Sequence, residues 1–266
     1  VPPHLVDPMR AHLKQHTKPG RDSLLFPSQS GGHLHQSVVY RRWDVARKAA
    51  GGPELRFHDL RHTGAPLAAQ AGAETGPSGA LVVDDAMATT LDGVWAAGDC
   101  IAPRHRVTGA PAFVPLGTTA NKTGRVAGTA AAGGRARFEG IVGTAVVKVF
   151  DLEVARTGLT LDEATAAGLR ARATDIVHRS RAKYYPGSQE LHVRLVHEPE
   201  GRLLGAQLVG REGAVGRIDV VACALTAGMS VADLGALDLA YAPPFAPVYD
   251  PLIIAAQAAV RGRGAA

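Results

Sequence analysis

Residues 93–100 read GVWAAGDC, and residues 115–125 read PLGTTANKTGR. The first stretch begins with an apolar run of buried-strand length, so we expect a strand over 93–97. The second stretch is rich in small residues and predicts a helix over 116–132. A strand followed at this distance by a helix indicates an α/β segment in the middle of the chain.

The remainder of the chain predicts an antiparallel sheet with helices. Leu191, Val193 and Leu195 alternate with polar residues, which indicates a strand with one buried face. Thr160, with Glu163 three residues later, forms the capping-box pattern of a helix start. The predicted strands lie at 144–150, 174–180, 191–197 and 203–210, and the predicted helices at 160–167, 213–229, 231–236 and 251–260.

These stretches, together with YYPG at 184–187 and YAPPF at 241–245, carry a family resemblance. The chain from Glu74 to Val260 resembles the carboxy-terminal part of FAD-dependent pyridine nucleotide-disulfide oxidoreductases, most closely coenzyme A-disulfide reductases and NADH oxidases. The resemblance implies that Asp99 accepts a hydrogen bond from the FAD ribityl chain and that the 116–132 helix faces the flavin. The implied FAD contacts are Thr90, Ala97, Gly98, Asp99, Leu116, Gly117, Thr118 and Tyr241, and Asn121 is the implied substrate contact.

The resemblance also implies a homodimer formed through residues 140–260. Tyr184 or Tyr185, together with Tyr241, would then reach across the dimer toward the flavin or a thiol substrate. The alternative is that these tyrosines are interface aromatics, because tyrosine is enriched at interfaces. Both roles remain open at this point.

No G-x-G-x-x-G loop occurs in the sequence, and this loop is what binds a dinucleotide pyrophosphate. We therefore expect an incomplete FAD site and no NAD(P) site, with the NAD domain and the FAD half that bears the redox cysteine missing. Cys100 and Cys223 form no C-x-x-C, which argues against a zinc site, and both are expected to be packed small residues. We expect no metal site.

An unrelated pattern precedes this part. Residues 57–73 read FHDLRHTGAPLAAQAGA, in which His58, Arg61 and His62 follow an H-x-x-R-H spacing. The pattern resembles the second catalytic box of tyrosine recombinases (phage integrases), which implies that His58 assists at a scissile phosphate and Arg61 clamps it. The implied nucleophile is absent, because Tyr40 lies on the wrong side of the box. Pro66 is expected to kink or break the helix that carries the box.

Charge is concentrated in this leader. Residues 1–74 hold ten Lys and Arg against six Asp and Glu, while the whole chain carries a net charge of +5. We expect weak, nonspecific DNA binding through residues 1–74. A solvated basic surface without a partner is the alternative. The longest strongly apolar run, Val220–Ala232, is too short to span a bilayer, and the cysteine usage fits the cytoplasm.

The predicted fold class is therefore mixed α+β. It comprises a helical integrase-like leader (1–73), a partial FAD-binding α/β segment (74–138) and an antiparallel-sheet dimerisation domain (139–266). We interpret the chain as a gene-fusion or truncation product. Four functions compete: an incomplete oxidoreductase module, a DNA-binding integrase remnant, a dimerising protein without catalysis, and no function.

Overall fold

A computed structural model describes residues 3–17, 27–28, 32, 35–49, 51, 54, 60–76 and 78–262. The chain forms two compact units, one within residues 1–102 and 120–138 and the other within 103–119 and 139–266. The described elements of the first part of the chain are α1 (Pro3–His16), α2 (Gln36–Ala49), α3 (Leu60–Gln70), β1 (Leu81–Val82), β2 (Ile101–Ala102) and α4 (Gly117–Ala131).

The first unit has a small core around a parallel pair of short strands. Leu81 of β1 lies opposite Ile101 of β2, and both side chains are buried beside Met87 and Val126. Three alanines of α3 pack against this cluster: Ala65, Ala68 and Ala69. The helix therefore continues the core of the α/β segment, although its first residues carry the recombinase-like spacing.

One expectation for this unit is wrong. Residues 93–97 form no strand, because their backbone makes only an isolated bridge between Trp95 and Ala88 rather than a ladder. Of the two outcomes expected at Pro66, a break does not occur, because helix α3 runs through this residue to Gln70.

The second unit is built on a five-stranded antiparallel sheet in the order β3-β4-β7-β6-β5. Leu191, Val193 and Leu195 are fully buried while His192 and Arg194 between them are exposed, which confirms the predicted alternation. Strand β4 was missed by the sequence patterns. The elements are β3 (Ala145–Val149), β4 (Leu152–Gly158), α5 (Leu161–Ala166), β5 (Arg172–Arg179), β6 (Glu190–His197), β7 (Leu203–Gly210), α6 (Ala214–Thr226), α7 (Val231–Gly235) and α8 (Pro251–Arg261).

Helices cover one face of this sheet. Helix α6 packs on β4 and β7, and α8 packs on β5 and β6. Helix α5 begins at the predicted capping box, in which Thr160 accepts from the Glu163 amide and Glu163 accepts from the Thr160 amide. Cys223 differs from expectation: the buried positions of α6 include Ile218 and Val221, and Cys223 lies exposed on another side of the helix.

Two glycines lie opposite each other on the neighbouring antiparallel strands β4 and β7. Gly158 pairs with Gly205, and a Cβ on Gly205 would lie closer than 3.0 Å to backbone atoms of Leu159. We expect Gly205→Ala to destabilise the protein by roughly 1–3 kcal/mol, because the backbone has to shift to admit the methyl group. Thermal unfolding followed by circular dichroism measures the effect.

The matched control for this prediction is Gly216→Ala on α6. A Cβ at Gly216 meets no heavy atom within 4 Å. Alanine there should stabilise the helix by roughly 0.5–1 kcal/mol. Equal melting temperatures for Gly205→Ala and the unmodified chain would contradict the close packing described between Gly205 and the Leu159 backbone.

Candidate functional site

The glycine–aspartate pair lies in a short 3-10 turn, Gly98–Cys100, directly before β2. Gly98 has a φ of +83°, in the left-handed region that favours glycine, and its nearest neighbour for an added Cβ is Ala120 at 3.8 Å. Its amide donates to Thr123 Oγ1 of α4 at 3.1 Å, and Thr123 is fully buried. The turn is thus fastened to α4, with Asp99 half-buried at its centre.

Two other predicted FAD contacts have hydrogen-bond partners within the protein. The Thr90 hydroxyl accepts a hydrogen bond from the Glu74 amide at 2.8 Å. The Ala97 carbonyl accepts one from Cys100 Sγ at 3.3 Å. Both interactions shape the segment that leads to the turn.

The predicted flavin-facing helix, α4, begins at Gly117 and has no acidic residue in its first turn. The first amides of a helix have no intrahelical acceptor and carry a partial positive charge. Leu116 is half-buried, and Gly117, Thr118 and Asn121 are exposed. Leu116, Gly117 and Thr118 are counted with the second compact unit, and Asn121 with the first.

The three predicted tyrosines have different surroundings in the structure. Tyr184 and Tyr241 lie on loops far apart in sequence. Interaction with the Tyr184 hydroxyl, together with desolvation, raises the pKa of Tyr241 above its ordinary value. Tyr185 does not join this pair, and its ring lies under the Arg181 guanidinium, 5.9 Å from the ring centroid.

Hydrogen bonds and an ion pair to Glu212 hold the start of the loop that carries Tyr184 and Tyr185. Arg181 binds Glu212 through two nitrogens, and the Ser180 hydroxyl also donates to that carboxylate. The hydrogen bond from Arg181 lowers the pKa of Glu212, so the carboxylate is ionised at neutral pH. This part of the site is therefore a fixed ion pair beside exposed aromatic residues.

Sequence reasoning missed two buried charges in the second unit. Arg217 on α6 and Asp250 before α8 are both almost fully buried, and Arg217 Nε lies 2.9 Å from Asp250 Oδ2. Another missed group, His105, is buried near the start of this unit, and burial lowers its pKa. No local pattern marks these residues, because their partners are distant in sequence.

The recombinase-like residues lie at or beyond the edge of the described part of the chain. His58 lies outside the described residues. Arg61 lies in the first turn of α3, and its side chain is also outside what is described. The described part of the chain contains no group of three or more His, Cys, Asp or Glu able to hold a metal ion. Among the described helices, none has the length and apolar character needed to cross a membrane.

Two models of known protein families match different parts of the chain. Residues 144–252 match the family model of the pyridine nucleotide-disulphide oxidoreductase dimerisation domain. Residues 61–125 match a second model, pyridine nucleotide-disulphide oxidoreductase. This second match begins inside the recombinase-like box and includes the α3 alanines that pack on the first core.

Individual relatives support both resemblances. The chain is 45% identical over 192 residues to a NAD(P)H coenzyme A polysulfide/persulfide reductase of Pyrococcus horikoshii, covering 72% of this chain and 43% of the relative. A NAD-dependent persulfide reductase from A. fulgidus superimposes with a TM-score of 0.71 at 41% identity, covering 75% of this chain and 37% of that chain. A prophage phiRv2 integrase of Mycobacterium tuberculosis is 56% identical over 75 residues, which is 27% of this chain and 20% of the integrase. The chain thus spans less than half the length of the reductases that it matches.

Proposed function

We propose that this chain provides the carboxy-terminal module of a FAD-dependent pyridine nucleotide-disulfide oxidoreductase of the coenzyme A-disulfide reductase type, and is catalytically incomplete by itself. The observation that carries the proposal is the five-stranded antiparallel sheet with its packed helices, in residues that match the dimerisation domain of these enzymes. Tyr184 and Tyr241 lie on two loops of this module.

The residues around Gly98 fit the ribityl end of FAD. The left-handed backbone and open surroundings of Gly98 allow close approach of a ligand, and Asp99 supplies a carboxylate beside it. The first amides of α4 favour negative charge on the flavin ring. When bound, FAD would carry electrons between a nicotinamide and a disulfide. The sequence lacks the G-x-G-x-x-G loop that binds the pyrophosphate, so the fit is confined to one end of the cofactor.

The tyrosine pair would act on the thiol side of the reaction. The Tyr241 hydroxyl is protonated at neutral pH, as tyrosine ordinarily is, and can donate a hydrogen bond. A donor beside a departing thiolate stabilises the negative charge that develops on sulfur. We therefore assign Tyr184 and Tyr241 to orienting a disulfide or persulfide substrate and Tyr185 to fixing its own loop through Arg181.

A chimera tests this proposal. We expect residues 74–262 of this chain, joined to the preceding portion of the Pyrococcus horikoshii reductase, to restore NAD(P)H-dependent reduction of coenzyme A disulfide or persulfide. Tyr241→Phe should then lower turnover by roughly 10²–10³-fold, the usual cost of one donor to a developing anion. Tyr249→Phe, an exposed tyrosine nearby in sequence, is the matched control. A folded, flavin-containing chimera without activity would reject the proposal.

A second candidate function follows from the similarity to the prophage integrase over 75 residues. It is a DNA-binding remnant that binds weakly and without sequence specificity. Residues 1–74 hold ten basic and six acidic residues, and the resulting net charge of +4 allows only a few phosphate contacts. Each such contact steepens the salt dependence by about 0.9 in log–log slope.

We expect no covalent protein–DNA adduct from this leader, because no tyrosine follows Arg61 within the recombinase-like segment. Incubation with an attachment-site duplex, followed by a denaturing gel, makes the measurement. An adduct that disappears in Tyr40→Phe would show that the leader retains recombinase chemistry.

A further inference from the structure

Two histidines lie one helical turn apart at the end of α1. Residues 12–16 read HLKQH, so His12 and His16 have the i, i+4 spacing that puts two side chains on one face of a helix. Their ring centroids are 5.1 Å apart, with an angle of 43° between the ring planes. His16 is exposed and His12 is half-buried. The two imidazoles therefore meet at the surface of α1.

The separation of the rings fits two imidazoles that bind the same metal ion. A bond from an imidazole nitrogen to such an ion is about 2.0–2.1 Å long. Two rings bound in this way have centroids about 4.5 Å apart at a right angle and about 5.2 Å apart at the tetrahedral angle. The 5.1 Å between His12 and His16 falls inside this range, so the pair has the spacing needed for chelation.

The position of the pair at the helix end favours a cation. The last carbonyl groups of an α-helix have no intrahelical donor, and this end carries a partial negative charge. His16 is the last residue of α1, and His12 lies one turn before it. Lys14, the other basic residue of the last turn, is two positions from each histidine and so projects from a different side of the helix. A dication held by the two rings therefore meets the favourable end of the helix dipole.

The residue after His12 separates this pair from a hydrolytic zinc motif. In the H-E-x-x-H motif, the glutamate that follows the first histidine is the general base. Leu13 occupies that position here. The pair also supplies only two ligands, because the described part of the chain has no group of three or more His, Cys, Asp or Glu able to hold a metal ion. Water would complete the coordination, so the arrangement suits reversible ion binding.

We infer that His12 and His16 form a two-histidine binding site for a late divalent transition metal, with Cu²⁺ preferred. Imidazole suits copper, nickel and zinc, and the affinity of a given nitrogen site for divalent ions is highest at Cu²⁺. The inference is independent of the proposed function, since α1 precedes the residues that match the oxidoreductase models. It departs from the expectation of no metal site, which rested on the spacing of the cysteines.

Calorimetric titration of the full chain with Cu²⁺ tests this inference. The second donor of a chelating pair binds intramolecularly, so the loss of one imidazole should weaken binding at the site by roughly 10²-fold. His12→Gln and His16→Gln should each remove the same single equivalent of bound Cu²⁺, and the double variant should remove no more than either alone. An undiminished number of bound ions in either single variant would overturn the inference.

The matched control keeps the number of histidines and changes only their spacing. Lys14→His/His16→Gln places the two histidines at i, i+2, positions that do not face each other on a helix. This variant should bind one Cu²⁺ fewer than the unmodified chain, whereas His192→Gln, which removes an exposed histidine from β6, should bind the full number. Full binding by the spacing variant would overturn the inference, because the arrangement of the histidines would then be irrelevant.

A second measurement locates the ion on the unmodified chain and so does not depend on the folding of any variant. Cu²⁺ is paramagnetic and broadens the nuclear magnetic resonance signals of nuclei close to it. We expect the ring signals of His12 and His16 to broaden together when less than one equivalent of Cu²⁺ is added. If these two signals stay sharp while those of other histidines broaden, the inference is wrong.

Discussion

We expect Phe245→Glu to sediment as a monomer under conditions in which the unmodified chain sediments as a dimer. Tyr184 and the loop between α7 and α8 expose large side chains with apolar surface: Phe245 is 79% exposed, Tyr184 76%, Val248 66% and Tyr249 62%. An apolar surface of this kind marks an interaction site. All four residues lie within residues 144–252, which match the dimerisation-domain model.

A glutamate in the centre of such an interface leaves a buried, unpaired charge. The expected loss is about 2 kcal/mol or more of association free energy, the range of an interface hot spot. Sedimentation velocity at concentrations on the order of tens of micromolar makes the measurement, because a standard-sized interface should be saturated there.

Leu67→Glu is the control for this prediction. Leu67 is a large apolar residue on α3, 59% exposed, and belongs to the other compact unit. A charge there should leave the dimer intact. A monomeric unmodified chain, or a dimer that survives Phe245→Glu, would show that this surface is not the interface.

Local patterns predicted the second unit well, for physical reasons that individual residues illustrate. The alternation of Leu191, Val193 and Leu195 reports a sheet with one buried face, and such a pattern needs no knowledge of the neighbouring strands. The capping box of Thr160 and Glu163 is equally local, because both partners lie within one helical turn. Both predictions are confirmed.

Features that depend on distant partners were not predictable in this way. Residues 93–97 have the apolar composition of a strand, but a strand needs hydrogen-bonded neighbours, and here only Trp95 bridges to Ala88. Strand β4 was missed because Glu153 and Arg156 interrupt its apolar pattern. Glu153 accepts from the Ala214 amide, and Arg156 binds Glu163.

The candidate site shows the same division. The GVWAAGDC and YAPPF stretches carried the resemblance that singled out Asp99 and Tyr241, but no pattern distinguished Tyr184 from Tyr185. The two residues differ in their surroundings, because the ring of Tyr185 lies against the Arg181 guanidinium. The buried ion pair of Arg217 and Asp250 was not predictable either, since the two residues are 33 positions apart.

The second large effect concerns the cofactor: we expect the isolated chain to bind FAD poorly or not at all. Ordering a large flexible cofactor costs several kcal/mol, on the order of 4–15. A neutral hydrogen bond returns only about 1 kcal/mol net. Asp99 and the first turn of α4 provide few such contacts, and the sequence has no pyrophosphate loop to offset the remainder. Without bound flavin, disulfide reduction by the isolated chain should also be absent.

The central claim is that this chain combines a folded oxidoreductase module with an incomplete flavin site. Its most direct test is the visible absorption spectrum of the full chain after purification in excess FAD and removal of free cofactor by gel filtration. We predict a dimeric, colourless protein with far less than one flavin per chain. A yellow protein that holds stoichiometric flavin, and loses it in Asp99→Ala, would contradict this claim.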